Sequence, residues 1–122
     1  MKSIKFIVTA IIAVLSSAFT FAQTHDHSQM TSAKPETFKV LGNCDMCKAR
    51  IEKAAKIDGV NKAEWNKDTK VLTLVYNPSV VKRDDILSKV AAVGHDTDKF
   101  RASDEAYKNL PGCCKYERNS KL

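Results

Sequence analysis

Cys44 and Cys47 stand with two residues between them, where an apolar run ends at Gly42-Asn43 and a helix-like run begins. Two thiols on a strand-to-helix turn can converge on one soft metal ion or close a reactive disulfide. Thiolate is the ligand form, and a free Cys with its ordinary pKa of about 8.5 is mostly protonated at neutral pH. At a helix start the partial positive charge of unpaired amides favours thiolate, and Lys48 and Arg50 follow in sequence. Two sulfur donors without a carboxylate select Cu(I), Hg(II) or a similar thiophilic ion over Mg(II) or Ca(II), with Asp45 expected to face solvent. A structural zinc site would demand two further ligands. An incomplete shell suits a carrier, because a partner's thiols can enter and take the ion by ligand exchange. Transfer rather than catalysis follows.

Other donors lie at a distance in sequence. Cys113 and Cys114 are adjacent, and adjacent cysteines rarely bridge each other because the ring is strained. They could be extra ligands for the Cys44/Cys47 pair, a second site, partners in a cross-link to it, or inert packing residues. His25-Asp26-His27 and Met30 form a polar stretch that is either a solvated leader or a weak metal-collecting segment. If the mature chain starts at Gln23, a free amine, two amides and the His25 imidazole could make a square-planar Cu(II) or Ni(II) site. Met46 reads as a loop-packing residue, and Phe38, Trp65 and Tyr76 as core.

The compartment decides how four cysteines are to be read. Residues 1–22 carry Lys2 and Lys5 ahead of an apolar stretch broken by Thr9, Ser16, Ser17 and Thr20, with small residues before Gln23. That is the layout of a cleaved secretory signal peptide, shorter and more polar than the roughly 20 apolar residues of a spanning helix. The expected mature chain is exported, periplasmic or extracellular, soluble and monomeric. Its net charge falls from +6 to +4 when Lys2 and Lys5 are removed, with basic residues dispersed among acids. A nucleic-acid surface has no support in that pattern. In an oxidising compartment an even Cys count usually means disulfides, but two tight groups favour metal or redox chemistry.

The elements that position these groups follow from hydrophobic period. Residues 23–35 read as a flexible His-containing leader. A first strand is expected over 36–41, with Phe38 and Val40 on one face, then a helix over 48–57 with Cys47, Ile51, Ala54 and Ala55 inward. Strands over 60–66 and 70–76 place Ala63 and Trp65, then Leu72, Leu74 and Tyr76, on the core side. A second helix over 84–93 turns Ile86, Leu87, Val90 and Val93 inward and ends at Gly94; a last strand is expected over 96–101. The order β-α-β-β-α-β defines a ferredoxin-like α+β sandwich, a four-stranded antiparallel sheet with both helices on one face. Residues 103–122 form an extension beyond that unit, anchored by Tyr107 and Leu110.

Within this frame the chain resembles the heavy-metal-associated domain family of copper chaperones, mercury-binding proteins and metal-pumping ATPase modules. The resemblance covers residues 36–102. It rests on Cys44-x-x-Cys47 after the first strand, Gly59-Val60, Tyr76-Asn77-Pro78 and Gly94-His95. One departure stands out: where the family reads Gly-Met-x-Cys, this chain has Leu41-Gly42-Asn43-Cys44, so Gly42 takes the place of a buried Met. The resemblance puts His95 beside the metal loop, as a third ligand, as a donor to a sulfur, or as an exposed helix cap. It implies metal ligation by Cys44 and Cys47, with His95 as an auxiliary candidate; Cys113, Cys114, His25 and His27, outside the matched region, are auxiliary candidates by residue type alone. The expected cargo is Cu(I), with Hg(II), Zn(II) or Cd(II) as alternatives. The expected partner is a metal-transporting membrane protein or another metal-binding domain. A thiol–disulfide oxidoreductase, a redox-gated carrier and a disulfide-stapled interaction module are the competing readings.

Overall fold

The computed structural model describes residues 33–118; the signal-like segment, His25 and His27 lie outside the described residues. Strand β1 is Glu36–Lys39, β2 Val60–Asn66 and β3 Val71–Tyr76; helix α1 is Asp45–Ala55, α2 Arg83–Ala92 and α3 Asp104–Lys108. A single 3-10 turn follows at Gly112–Cys114.

The β-branched and aromatic alternation of Val71-Leu72-Thr73-Leu74-Val75-Tyr76 suits a half-buried central strand, and β3 takes that place in a sheet of order β1-β3-β2. Both pairings are antiparallel, with Phe38 and Trp65 opposite Leu72 from either side. A bulge between Val60 and Lys62 interrupts the β2 register. The turn into β3 is closed by Asn66, whose side-chain oxygen accepts from Asp68 N and Thr69 N, each at 2.9 Å. Lys70, expected as the first residue of the strand, belongs to this turn at φ 60°.

Leu72, Leu74, Trp65 and Phe38 share one core with Ile51 and Ala55 of α1 and Ile86, Leu87 and Val90 of α2. Both helices thus cover the same sheet face, as the apolar spacing predicts. Val93 departs from the prediction: it is the α2 C-cap, where helical direction is lost, and it is exposed. No helix of the described residues is long and apolar enough to cross a membrane.

The fourth strand is the main correction. Among the described residues the sheet has three strands, and the expected strand over 96–101 is reduced to one bridge, Val40 with Thr97. Side chains capture the amides that a ladder would need. Thr97 Oγ1 accepts from Phe100 N at 2.8 Å and Lys99 N at 3.2 Å, while Asp96 Oδ1 accepts from Ala102 N at 2.7 Å. The carboxy-terminal segment holds the same stretch. Tyr116 OH donates to Gly94 O at 2.7 Å and accepts from Asp96 N at 2.8 Å. Arg118 closes the arrangement with Nε–Oδ2 and Nη2–Oδ1 bonds to Asp96 at 2.8 and 2.6 Å.

The residues after Ser103 are therefore built into the core: Leu110, Cys114 and Tyr116 are buried in the same cluster as the sheet and helices. Gly94 makes this packing feasible. Its φ of +105° is a left-handed conformation, and an added Cβ would lie 2.8 Å from Ala106 O of α3.

Candidate metal centre

Helix α1 begins three residues earlier than the sequence suggests, at Asp45, with Cys44 as its N-cap in extended conformation. Cys44 therefore stands at the helix N-terminus, and Cys47 lies in the first turn, fully buried. Asp45 faces solvent and pairs with Lys67 at 3.3 Å, as expected. Lys48 does not face the thiols: its ammonium is engaged by Glu52 and by the Trp65 carbonyl.

The loop rests on Trp65. Its indole Nε1 donates to Val40 O at 3.0 Å, and its ring lies under Gly42, where an added Cβ would be 3.0 Å from Trp65 Cη2 and from Cys47 Cβ. Where the resembled family has a Met, this chain has Gly42, and the indole of Trp65 from β2 packs against it. Gly42 is the residue that leaves room for it.

Four sulfurs meet above this floor. Cys44 Sγ lies 3.4 Å from Cys47 Sγ, 3.2 Å from Cys113 Sγ and 3.5 Å from Cys114 Sγ; Cys113 and Cys114 are 3.9 Å apart. All four are free thiols. The donor atoms of Cys44, Cys47 and Cys114 lie mutually within 4.8 Å, and Cys113 adds a second close trio with Cys44 and Cys114, all within 3.9 Å. Zn–S bonds of about 2.3 Å imply sulfur–sulfur edges of roughly 4 Å around a trigonal or tetrahedral ion, so small side-chain rotations fit this group to a metal. Cys47 and Cys114 are buried, Cys44 is half-buried and Cys113 exposed. The tail is held to the loop by Asn43 Nδ2, which donates to Lys115 O at 3.0 Å, while Asn43 N donates to Cys47 Sγ at 3.4 Å.

The thiols differ electrically. Burial disfavours the Cys44 thiolate, but hydrogen bonding from Cys113, from the Cys47 backbone and from the Cys47 and Cys114 thiols outweighs it and lowers the Cys44 pKa to about 6. Cys113 is raised by its hydrogen bond to Cys44 and by desolvation. Cys114 is pushed well up, first by burial and then by its hydrogen bonds to Cys47 and Cys44. The Cys44 sulfur is thus the acidic member of the group.

His95 is neither exposed nor part of the sulfur group. It is fully buried, with Nδ1 2.8 Å from Leu41 O. A carbonyl only accepts, so Nδ1 carries the proton and Nε2 is the bare nitrogen, buried without a partner. Its ring stacks on Tyr116 at 5.8 Å, and burial holds its pKa low, keeping it neutral. Met46 is also displaced from its expected role: it is 54% exposed, with its sulfur 3.6 Å from Cys113 Sγ. Sequence reasoning left open whether Cys113-Cys114 reach the first pair. The Pro111-Gly112 turn and the apolar Leu110 were the signals that they do.

No protein-family model matches the chain. A copper-exporting P-type ATPase of Staphylococcus saprophyticus is 39% identical over 59 residues, 47% of this chain but only 7% of that protein's length. Among solved structures, the CopZ metallochaperone is 29% identical at a TM-score of 0.50, over 52% of this chain and 98% of its own. The water-soluble region of the P-type ATPase CopA from Bacillus subtilis is 31% identical at the same TM-score, over 53% of this chain and 44% of its own. The chain is similar in sequence and fold to the heavy-metal-associated domains of copper-handling proteins. Its core has the ferredoxin-like architecture of those domains, with a Cys-x-x-Cys group at the strand-to-helix turn.

Proposed function

We propose that this protein is an exported, soluble, monomeric carrier of Cu(I), with no catalytic activity, that holds its cargo on Cys44, Cys47 and Cys114 and yields it to a partner by thiolate exchange. The observation that carries this reading is the convergence of those three sulfurs within 4.8 Å of one another. Three thiolates and no oxygen donor favour Cu(I), with Hg(II), Zn(II) and Cd(II) as weaker candidates. The burial gradient gives the exchange a direction. A partner thiolate reaches the ion from the side of Cys44 and Cys113, so the exposed bonds are replaced first and the buried Cys47 and Cys114 release last. The names of the similar proteins support a metal-transporting membrane protein, or another metal-binding domain, as the recipient.

Competitive titration of the mature chain with Cu(I) against a chromogenic chelator tests this. The expected result is tight binding that is lost when Cys44 and Cys47 are both replaced by Ser. Unchanged affinity in the double variant would place the site elsewhere.

A redox-gated version of the carrier is favoured by one distance. Cys44 and Cys113 are already 3.2 Å apart, so a two-electron oxidant of an oxidising compartment could join them in a disulfide, with loss of both thiol protons, and withdraw Cys44 from the metal. Peptide mapping of protein isolated without reductant separates a bridged from a free-thiol resting state.

A further inference from the structure

The inner trio does not use every soft donor at this surface. Cys44 is a hub, with three sulfurs within 3.2–3.5 Å of its own; Cys113 closes on Cys44 and, at 3.9 Å, on Cys114, but the group that includes the buried Cys47 does not take it in. Cys113 and Cys114 share a one-turn 3-10 helix, and that turn buries Cys114 while leaving Cys113 exposed. On the outer side Cys113 meets a second kind of sulfur, the Met46 thioether, at 3.6 Å. A methionine is an apolar side chain whose usual place is a core gap. Met46 fills none: it stands exposed between the two loop cysteines and against a thiol.

We propose a second, outer Cu(I) subsite in which Cys113 thiolate and the Met46 thioether are the private ligands and Cys44 thiolate is shared with the inner Cys44–Cys47–Cys114 site. The inference rests on the reading that the inner group takes Cu(I). A thiolate sulfur has lone pairs enough to bind two soft ions at once, and Cys44 is nearer to Cys113 than Cys114 is, at 3.2 Å against 3.9 Å. Two thiolates and a thioether suit Cu(I) and leave harder ions poorly served. Cys113 gives up its proton to solvent as the outer ion binds. The Asn43–Lys115 hydrogen bond and the Arg118–Asp96 pair help keep the outer donors in register by fixing the tail just after the cysteines. The outer ion is the more exposed of the two and is the one a partner meets first.

Native mass spectrometry of the full mature chain, titrated with Cu(I) under a competing chelator, reads this directly. The expected result is stepwise loading to two ions per monomer. Met46→Leu and Cys113→Ser should each weaken the second ion by about tenfold or more while leaving the first within a few-fold of wild type. Both side chains are exposed, so both variants should fold, which the fluorescence of the single, buried Trp65 verifies. Saturation of wild type at one ion overturns the outer subsite and leaves the inner one standing. So does a second ion held equally well by Met46→Leu, or found only in a dimer. Absence of any bound ion overturns the carrier reading as well.

Discussion

At the scale of single residues, the four thiols are distinguished by where each stands relative to α1 and the tail. Cys44, at the helix N-terminus, is the acidic one at about 6, and Cys113 and Cys114 are raised. Alkylation of metal-free protein should therefore be led by Cys44. The sign follows from the reactive form: thiolate is the nucleophile, so the Cys44 rate is high above pH 6 and falls as pH drops through that value. Cys113, although more exposed, should react only at alkaline pH. Mass-resolved alkylation between pH 4 and 9 checks this, and equal rates for the two at pH 7 would contradict it. Gly42 supports a second residue-scale prediction. A side chain there would press on Trp65 and Cys47, so Gly42→Ala should cost about 1–3 kcal/mol by overpacking and perturb Trp65 emission.

At the scale of elements, β3 and the carboxy-terminal tail dominate. Leu74 is fully buried and Thr73 faces the other side, so Leu74→Ala should destabilise by ~2–5 kcal/mol in chemical denaturation and Thr73→Ala by far less. The tail's clamp is the buried Asp96–Arg118 pair. Desolvation disfavours the Asp96 carboxylate, but Arg118 and the Ala102 amide outweigh it and hold its pKa below the usual range. Because the folded value is depressed, the clamp's contribution is fully present above about pH 4 and is lost as acid protonates Asp96 through its lowered value. Arg118→Ala should loosen the tail, read as Cys114 alkylation at alkaline pH approaching that of Cys113 under denaturant-free conditions. Continued protection of Cys114 would show that Leu110 and Tyr116 suffice.

Alternation in 71–76, the helical spacing of Ile51 and Ala55, and Ile86 with Val90 were legible because burial on one face imposes a period on sequence. The missing fourth strand was not. The alternation around Thr97 and Lys99 looks strand-like, but side-chain oxygens of Asp96 and Thr97 divert the amides, and Tyr116 and Arg118 arrive from more than fifteen residues away. The Cys44/Cys47 pair announced itself by spacing. The arrival of Cys114 beside it depends on a tail path of which only Leu110 and Pro111-Gly112 gave a sign, and no local period marks the burial of His95.

At the scale of the whole molecule, the tail turns a two-thiol loop on a ferredoxin-like core into a pocket with a third, buried sulfur. A two-thiolate loop leaves its ion open on one side; a third thiolate supplied by the chain itself lengthens retention and lets a partner compete for one bond at a time. On the proposed reading, the protein is a carrier that holds its cargo firmly before release. X-ray absorption at the copper edge, on mature protein loaded with one equivalent of Cu(I), tests this claim most directly. Three sulfur neighbours in the first shell, falling to two in Cys114→Ser, are the result predicted. Two sulfurs in the wild type, or a first shell containing nitrogen or oxygen, would contradict it.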